Sequence, residues 1–273
     1  MNKHPIGVFD SGYGGLTVLK EITARLPQHD FLYLGDNARA PYGNRSFDTV
    51  YEYTLQCVKW FFSRGCSLVI LACNTASAKA LRTIQQKDLP KLDASKRVLG
   101  VIRPSAEIIG DYSKTGAVGI LATNGTVLSN TYPIEILKSF PLINVYQEAC
   151  PLWVPLVENN EFNSPGADYF INKHINQLLI QSQLIDTILL GCTHYPLLIN
   201  KIRQYLPHSI TLLSQGEIVA KSLESYLLRH PEIAEKCSKT GKTSFFTTDA
   251  TEDFDNHGAV FFGKPVKSIH VAL

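Results

Sequence analysis

Two of the six cysteines stand apart by their surroundings. ACNTAS (72–77) and GCTHYP (191–196) each place a cysteine, Cys73 or Cys192, at the end of an apolar run. Each is followed by hydroxyl or amide side chains and a predicted helix start. A helix N-terminus favours a thiolate, and its free N–H groups favour a bound carboxylate. One such cysteine could be a nucleophile for acyl transfer or a redox centre. Two matching ones suit a different task, because racemisation at an α-carbon removes a proton from one face and delivers one to the other. A thiol, with an ordinary pKa of about 8.5, needs only modest stabilisation to work near neutral pH. One cysteine then begins as thiolate and the other as thiol, and each turnover exchanges their states. Cys57, Cys66, Cys150 and Cys237 lack this setting and read as small buried hydrophobes.

Other residues could assist. DSGYGG (10–15) follows the first apolar run. Asp10 is a carboxylate able to handle protons beside a thiol, Ser11 can donate to substrate, and the glycines permit a tight turn and close backbone approach. The loop lacks the Gly-Lys-Ser/Thr ending of a phosphate-binding loop and the G-x-S-x-G pattern of a serine nucleophile. His194, two residues after Cys192, is placed to serve that cysteine. His4, His29, His174, His208, His230, His257 and His270 have no such neighbour and are expected to be structural or solvated. Tyr42 and Gly43 in RAPYG can be read as a turn or as site contacts; Glu158 in VPLVE can be a solvated helix residue or a carboxylate near a cleft.

The elements that must position these residues alternate. IGVFD (6–10), DFLYLGD (30–36), SLVILAC (67–73), RVLGVI (97–102), GAVGILAT (116–123), INVYQEA (143–149) and DTILLGC (186–192) read as buried strands. Amphipathic stretches at 16–26, 47–65 and 169–183 lie between them as helices. This alternation predicts βαβ units with parallel sheets covered on both faces, and ligands beyond the carboxyl ends of the strands. A weak internal repeat aligns IGVFDSGYGGLTVL with VGILATNGTVLSN, Asp10 on Thr123, Tyr33 on Tyr146 and, at a similar offset, Cys73 on Cys192. The expected fold is therefore α/β with two similar lobes, each a mostly parallel sheet flanked by helices, and the active site in the cleft between them. The first lobe is expected to span 1–98 and 209–273, the second 99–208. LLSQGEIVAKSLESYLL (212–228) reads as a turn and helix, SFFTTDA (244–250) and VKSIHVAL (266–273) as terminal strands, and 230–243 as a polar surface loop.

Composition narrows the classes. The 273 residues are 45% hydrophobic and 18% charged, with a net charge of +2, as in ordinary soluble globular proteins. The charge is too small, and Lys and Arg too scattered, for a nucleic-acid partner. No apolar run approaches the roughly 20 residues that span a bilayer, and MNKHPIGVFDSG lacks the features of a signal peptide. A cytoplasmic protein without a membrane partner is expected. There is no dense cysteine framework and no C-x-x-C pair, so neither disulfides nor a metal site is expected.

DSGYGGLTV (10–18), GDNARAPYG (35–43), ACNTAS (72–77), CPLWVPLVE (150–158) and GCTHYPLL (191–198) together resemble the glutamate racemases of the cofactor-independent aspartate/glutamate racemase superfamily. They occur in that family's order and cover residues 6 to about 216. The resemblance implies interconversion of L- and D-glutamate without a cofactor, with Cys73 acting on D-glutamate and Cys192 on L-glutamate. It implies that Asp10 assists Cys73, that His194 assists Cys192, and that Glu158 supports the His194 side. Ser11, Tyr42, Gly43, Asn74, Thr75 and Thr193 match substrate contacts, with Thr123 and Thr126 as a contributing Thr-x-x-Thr pair. A bacterial role in supplying D-glutamate for peptidoglycan, and a homodimer, are implied too. Arg103 departs from the uncharged residue of many members. With five residues before the first strand, activation by a cell-wall precursor is not expected; a large rise in activity on adding one would refute that. The rivals are a relative acting on aspartate, a hydantoin or a related diacid, a non-catalytic two-lobed carboxylate-binding protein, and a one-cysteine redox or acyl-transfer enzyme.

Overall fold

A computed structural model describes residues 3–273. The first sheet contains β1 (Ile6–Asp10), β2 (Phe31–Gly35), β3 (Leu68–Leu71) and β4 (Arg97–Gly100). The second contains β5 (Ala117–Ala122), β6 (Asn144–Ala149), β7 (Thr187–Gly191) and β8 (Thr211–Leu213). The chain then returns to add β9 (Thr243–Thr247) and β10 (Ser268–His270) to the first sheet. Among the helices are α1 (Leu16–Arg25), α2 (Phe47–Ser63), α3 (Asn74–Lys79), α4 (Asn124–Leu128), α5 (Thr131–Ser139), α6 (Trp153–Glu158), α7 (Pro165–Gln181), α8 (Gln215–Arg229) and α9 (Thr251–Phe262). Ser46 and Ser164 start α2 and α7 by accepting hydrogen bonds from the Thr49 and Ala167 amides, the usual serine cap.

The strand orders are β10-β9-β2-β1-β3-β4 and β6-β5-β7-β8, with every pairing parallel. β1, β2, β3, β5 and β7 are buried along their whole length, which is why they read as unbroken apolar runs rather than alternating ones. The order β2-β1-β3-β4 recurs as β6-β5-β7-β8, so the repeat is topological. Its register differs from the expected alignment. Phe9 pairs with Leu71 and Leu121 with Leu190, so relative to the cysteines Thr123 matches Ser11, and Asp10 matches Ala122.

Three other expectations change. β8 pairs with β7 in the second sheet, whereas the expected boundary at 209 put it in the first lobe, and β4 runs two residues beyond 98. A three-residue edge strand is too short to show periodicity. Residues 230–243 are not simply a surface loop. Pro231–Ala234 is helical, Ile233 and Cys237 are buried, and Cys237 bridges to His4. The 97–102 run ends as a strand at Gly100, and a short helix follows from Ile102.

α8 packs along α1, and one hydrophobic cluster runs through both lobes, from Ile6, Val8 and Leu19 to Leu121, Trp153 and Leu190. No helix among the described residues is long and apolar enough to cross a membrane.

Candidate active site

The turns after β1, β3, β5 and β7 meet between the lobes and enclose a cavity of about 60 Å³. Cys73 and Cys192 both line it. So do Ser11, Tyr42, Gly43, Asn74, Thr75 and Thr123, and so do Glu158, Thr193 and His194. Asp10 and Thr126 stand behind this wall, buried. Arg103 is away from it, with its side chain 76% exposed and paired with Glu107 at 2.7 Å.

Cys73 caps α3. Its sulfur accepts from the Ala76 amide and its thiol donates to Ser11 Oγ, both at 3.5 Å. Burial pushes the Cys73 thiol up to about 12, and the nearby Asp10 charge pushes in the same direction. Burial also raises the Asp10 carboxyl above its usual range, against the pull of the His194 charge. Asp10 is held by the Gly12 amide at 2.9 Å and the Thr193 hydroxyl at 3.3 Å. Tyr33 fixes the same loop by donating to the Gly12 carbonyl at 2.8 Å.

Cys192 is built differently. The helix start expected after it is instead a turn, a 3-10 segment at Tyr195–Leu198, and only then a helix from Ile199. Pro196 sits in that first segment, where a missing N–H is tolerated. In place of a capping amide, Cys192 has His194, whose Nδ1 lies 4.0 Å from the sulfur. His194 Nε2 lies 2.9 Å from Glu158 Oε1. Burial alone would strip the proton from this imidazole, but the Cys192 sulfur and the Glu158 carboxylate outweigh it and hold His194 up at about 10. Gly14 is required here, because a Cβ at that position would overlap Thr193 Oγ1 and the His194 ring.

Three hydroxyls join the lobes. Thr75 and Thr123 lie 2.9 Å apart, Thr123 and Thr126 3.2 Å, and Thr75 and Thr126 3.5 Å. The Gly125 amide donates to the Gly43 carbonyl at 2.8 Å across the same boundary. Two expected substrate contacts have side chains already committed. The Tyr42 hydroxyl donates to Asp36. The Asn74 amide donates to Gln215 Oε1 at 2.6 Å and its carbonyl accepts from Tyr132 at 2.7 Å. What Asn74 has left is its backbone N–H, one of the free donors at the start of α3.

Residues the sequence did not single out complete the site. Pro41 and Asn44 flank Tyr42 and Gly43 on the wall, and Pro151, Val154 and Pro155 form its apolar part. These last three sit inside CPLWVPLVE, so the motif pointed to the wall although only Glu158 was singled out. Gln215 and Asp36 act from behind: Asp36 through Tyr42, six residues on in the same GDNARAPYG motif, and Gln215 through Asn74, far away in the chain and without a local signal. All six cysteines are free and buried. Among the described residues no group of three or more His, Cys, Asp or Glu side chains could hold a metal ion.

This arrangement puts two thiols, hydroxyl donors and a cationic imidazole around one small cavity with a largely apolar wall. It is equipped to bind a carboxylate and to move protons. The comparisons with known proteins agree. The chain is 39% identical over 254 residues to a glutamate racemase of a Sulfurihydrogenibium species, covering 92% of this chain and 91% of that one. A solved glutamate racemase isoform of Bacillus anthracis superposes with a TM-score of 0.90 at 32% identity, covering 100% and 99% of the two chains. The Francisella tularensis glutamate racemase, solved in complex with D-glutamate, gives 0.88 at 29% identity, covering 100% and 98%. The family model for Asp/Glu/Hydantoin racemases matches residues 9–223, and the chain belongs to that family.

Proposed function

We propose that this protein is a glutamate racemase that inverts the α-carbon by proton transfer between two cysteines, and that its product D-glutamate supplies peptidoglycan synthesis. The observation that carries the mechanism is the shared cavity with oppositely flanked sulfurs: an anion, Asp10, beside Cys73 and a cation, His194, beside Cys192. L-glutamate binds with its α-hydrogen towards Cys192. The Cys192 thiolate takes that proton, the electron pair of the C–H bond stays on the α-carbon, and the Cys73 thiol delivers its own proton to the opposite face. The enzyme is left with a Cys192 thiol and a Cys73 thiolate, ready for the reverse direction. Asp10, with its raised proton affinity, shares the proton returning to Cys73, while His194 and Glu158 balance charge at Cys192. Ser11, Thr75, Thr123 and Thr193, with the backbone amides of Gly43 and Asn74, hold the carboxylates and so spread the charge that develops beside the α-carbon.

The test is racemisation of each glutamate enantiomer in D₂O. One solvent deuterium in the inverted product is expected. Turnover of aspartate or a hydantoin in preference to glutamate would move the substrate assignment to another branch of the family.

A further inference from the structure

Glu158 ends α6, and its carbonyl is one of the oxygens a helix C-terminus leaves without an intrahelical donor. That oxygen accepts a hydrogen bond from His257 Nε2 of α9, 3.2 Å away, across the boundary between the lobes. The other ring nitrogen, Nδ1, faces the Asp253 carbonyl at 3.0 Å and the Asp253 carboxylate at 3.3 Å. These neighbours are all acceptors, so each ring nitrogen faces a group to which an N–H can donate. Tyr13 stacks on this imidazole, with centroids 4.9 Å apart, and donates to Asp253 Oδ2 at 2.5 Å. One turn further along α9, Phe261 stands edge-on to the His194 ring at 5.2 Å. A single helix of the first lobe therefore supports both members of the Glu158–His194 pair from behind, and His257 itself does not line the cavity.

We infer that His257, held by Asp253 and Tyr13, is a positioning residue for proton transfer at Cys192. It fixes the end of α6 so that the Glu158 carboxylate meets His194 and His194 meets the sulfur. The links run 3.2 Å from His257 to Glu158, 2.9 Å to His194 and 4.0 Å to Cys192. The last is already long, so a small displacement of α6 removes it. On the Cys73 side Asp10 is anchored by the Gly12 amide of its own loop at 2.9 Å, with a longer contact from the Thr193 hydroxyl at 3.3 Å. Loss of His257 therefore impairs the transfer at Cys192 more than the transfer at Cys73.

The inference rests on the two-cysteine reading, and α-deuterated L- and D-glutamate separate the two. Because the equilibrium constant of racemisation is one, kcat/KM must fall by the same factor in both directions. His257→Ala is expected to lower it about tenfold, as a small misplacement of catalytic groups does. The distinguishing readout is the primary isotope effect. It grows for the enantiomer whose proton Cys192 removes, because that step becomes limiting, and shrinks for the enantiomer served by Cys73. Cys73→Ser and Cys192→Ser first establish which enantiomer each cysteine serves; full racemisation by either variant defeats the two-cysteine reading instead. His257→Gln keeps a donor towards the Glu158 carbonyl and restores the wild-type ratio of isotope effects. Equal changes in the two isotope effects, or none, in folded His257→Ala overturn the inference. If that variant does not fold, Asp253→Asn carries the same asymmetry in weaker form, and its absence there overturns the inference as well.

Discussion

The two cysteine turns share a scaffold and differ in charge. Matched through the sheet register, Asp10 of the first lobe corresponds to Ala122 of the second. Counted from the cysteines, Thr75 of the first lobe corresponds to His194 of the second. Those two differences set the electrostatics. Burial, reinforced by the carboxylate beside it, makes loss of the Cys73 proton costly, while a cationic imidazole stands beside Cys192. Similar scaffolds in the two lobes thus carry dissimilar flanks.

Removing either sulfur breaks that arrangement most severely. Cys73→Ser and Cys192→Ser are each expected to lower racemisation by about 10² to 10⁴-fold, the usual worth of a positioned acid or base, measured by circular dichroism of the glutamate pool. If one variant kept wild-type turnover, the comparison between the turns would lose its basis. His194→Asn is expected to cost about 10²-fold and to remove an alkaline limb. In the unchanged protein, activity that needs the imidazolium falls as pH rises through about 10. The stability linkage has the same sign, because the folded value lies above the ordinary 6.5. The contribution is fully present below pH 6.5 and is lost as pH rises through about 10, which melting curves across that range would show. Cys73, at about 12, should add no second limb within it.

Three smaller changes sharpen the contrast. Gly14→Ala drives a methyl into Thr193 and His194, so activity should fall about tenfold and overpacking should cost about 1–3 kcal/mol of stability in urea titrations. Thr123→Val removes one hydroxyl shared between the lobes. A single hydrogen bond of about 0.5–1.5 kcal/mol predicts a KM raised roughly 3- to 10-fold, with kcat less affected. Arg103→Ala should change neither rate nor stability beyond about 0.5 kcal/mol, because an exposed pair with Glu107 is all it loses; a clear effect on KM would place the guanidinium nearer the substrate than this structure does.

Much of this was readable from the chain because the relevant signals are local. Strands buried on both faces announce themselves as apolar runs, and the turns at their carboxyl ends are where an α/β fold collects its chemistry. Eleven of the thirteen expected site residues line the cavity, and the other two, Asp10 and Thr126, pack directly behind it. What sequence could not supply were relations across the chain. Asn74 and Gln215 are 141 residues apart, and no periodicity joins them. His257 resembles any half-buried helical histidine until α9 is laid against the end of α6. The repeat placed Asp10 opposite Thr123 because aligned letters carry no register, which only hydrogen-bonded strand pairs define.

The Gln215 side chain has a mechanical consequence. The chain passes from one lobe to the other just after Gly100 and back just after Leu213. Gln215 Nε2 lies within 3.0 Å of the Val101 carbonyl, 3.1 Å of Ser105 Oγ and 2.9 Å of the Tyr132 hydroxyl. Both crossings are therefore riveted together by one amide. An axle of this kind permits rotation of one lobe against the other and resists sliding. The Asn74 amide is bolted to that axle, so the turn that carries Cys73 is tied to the pivot.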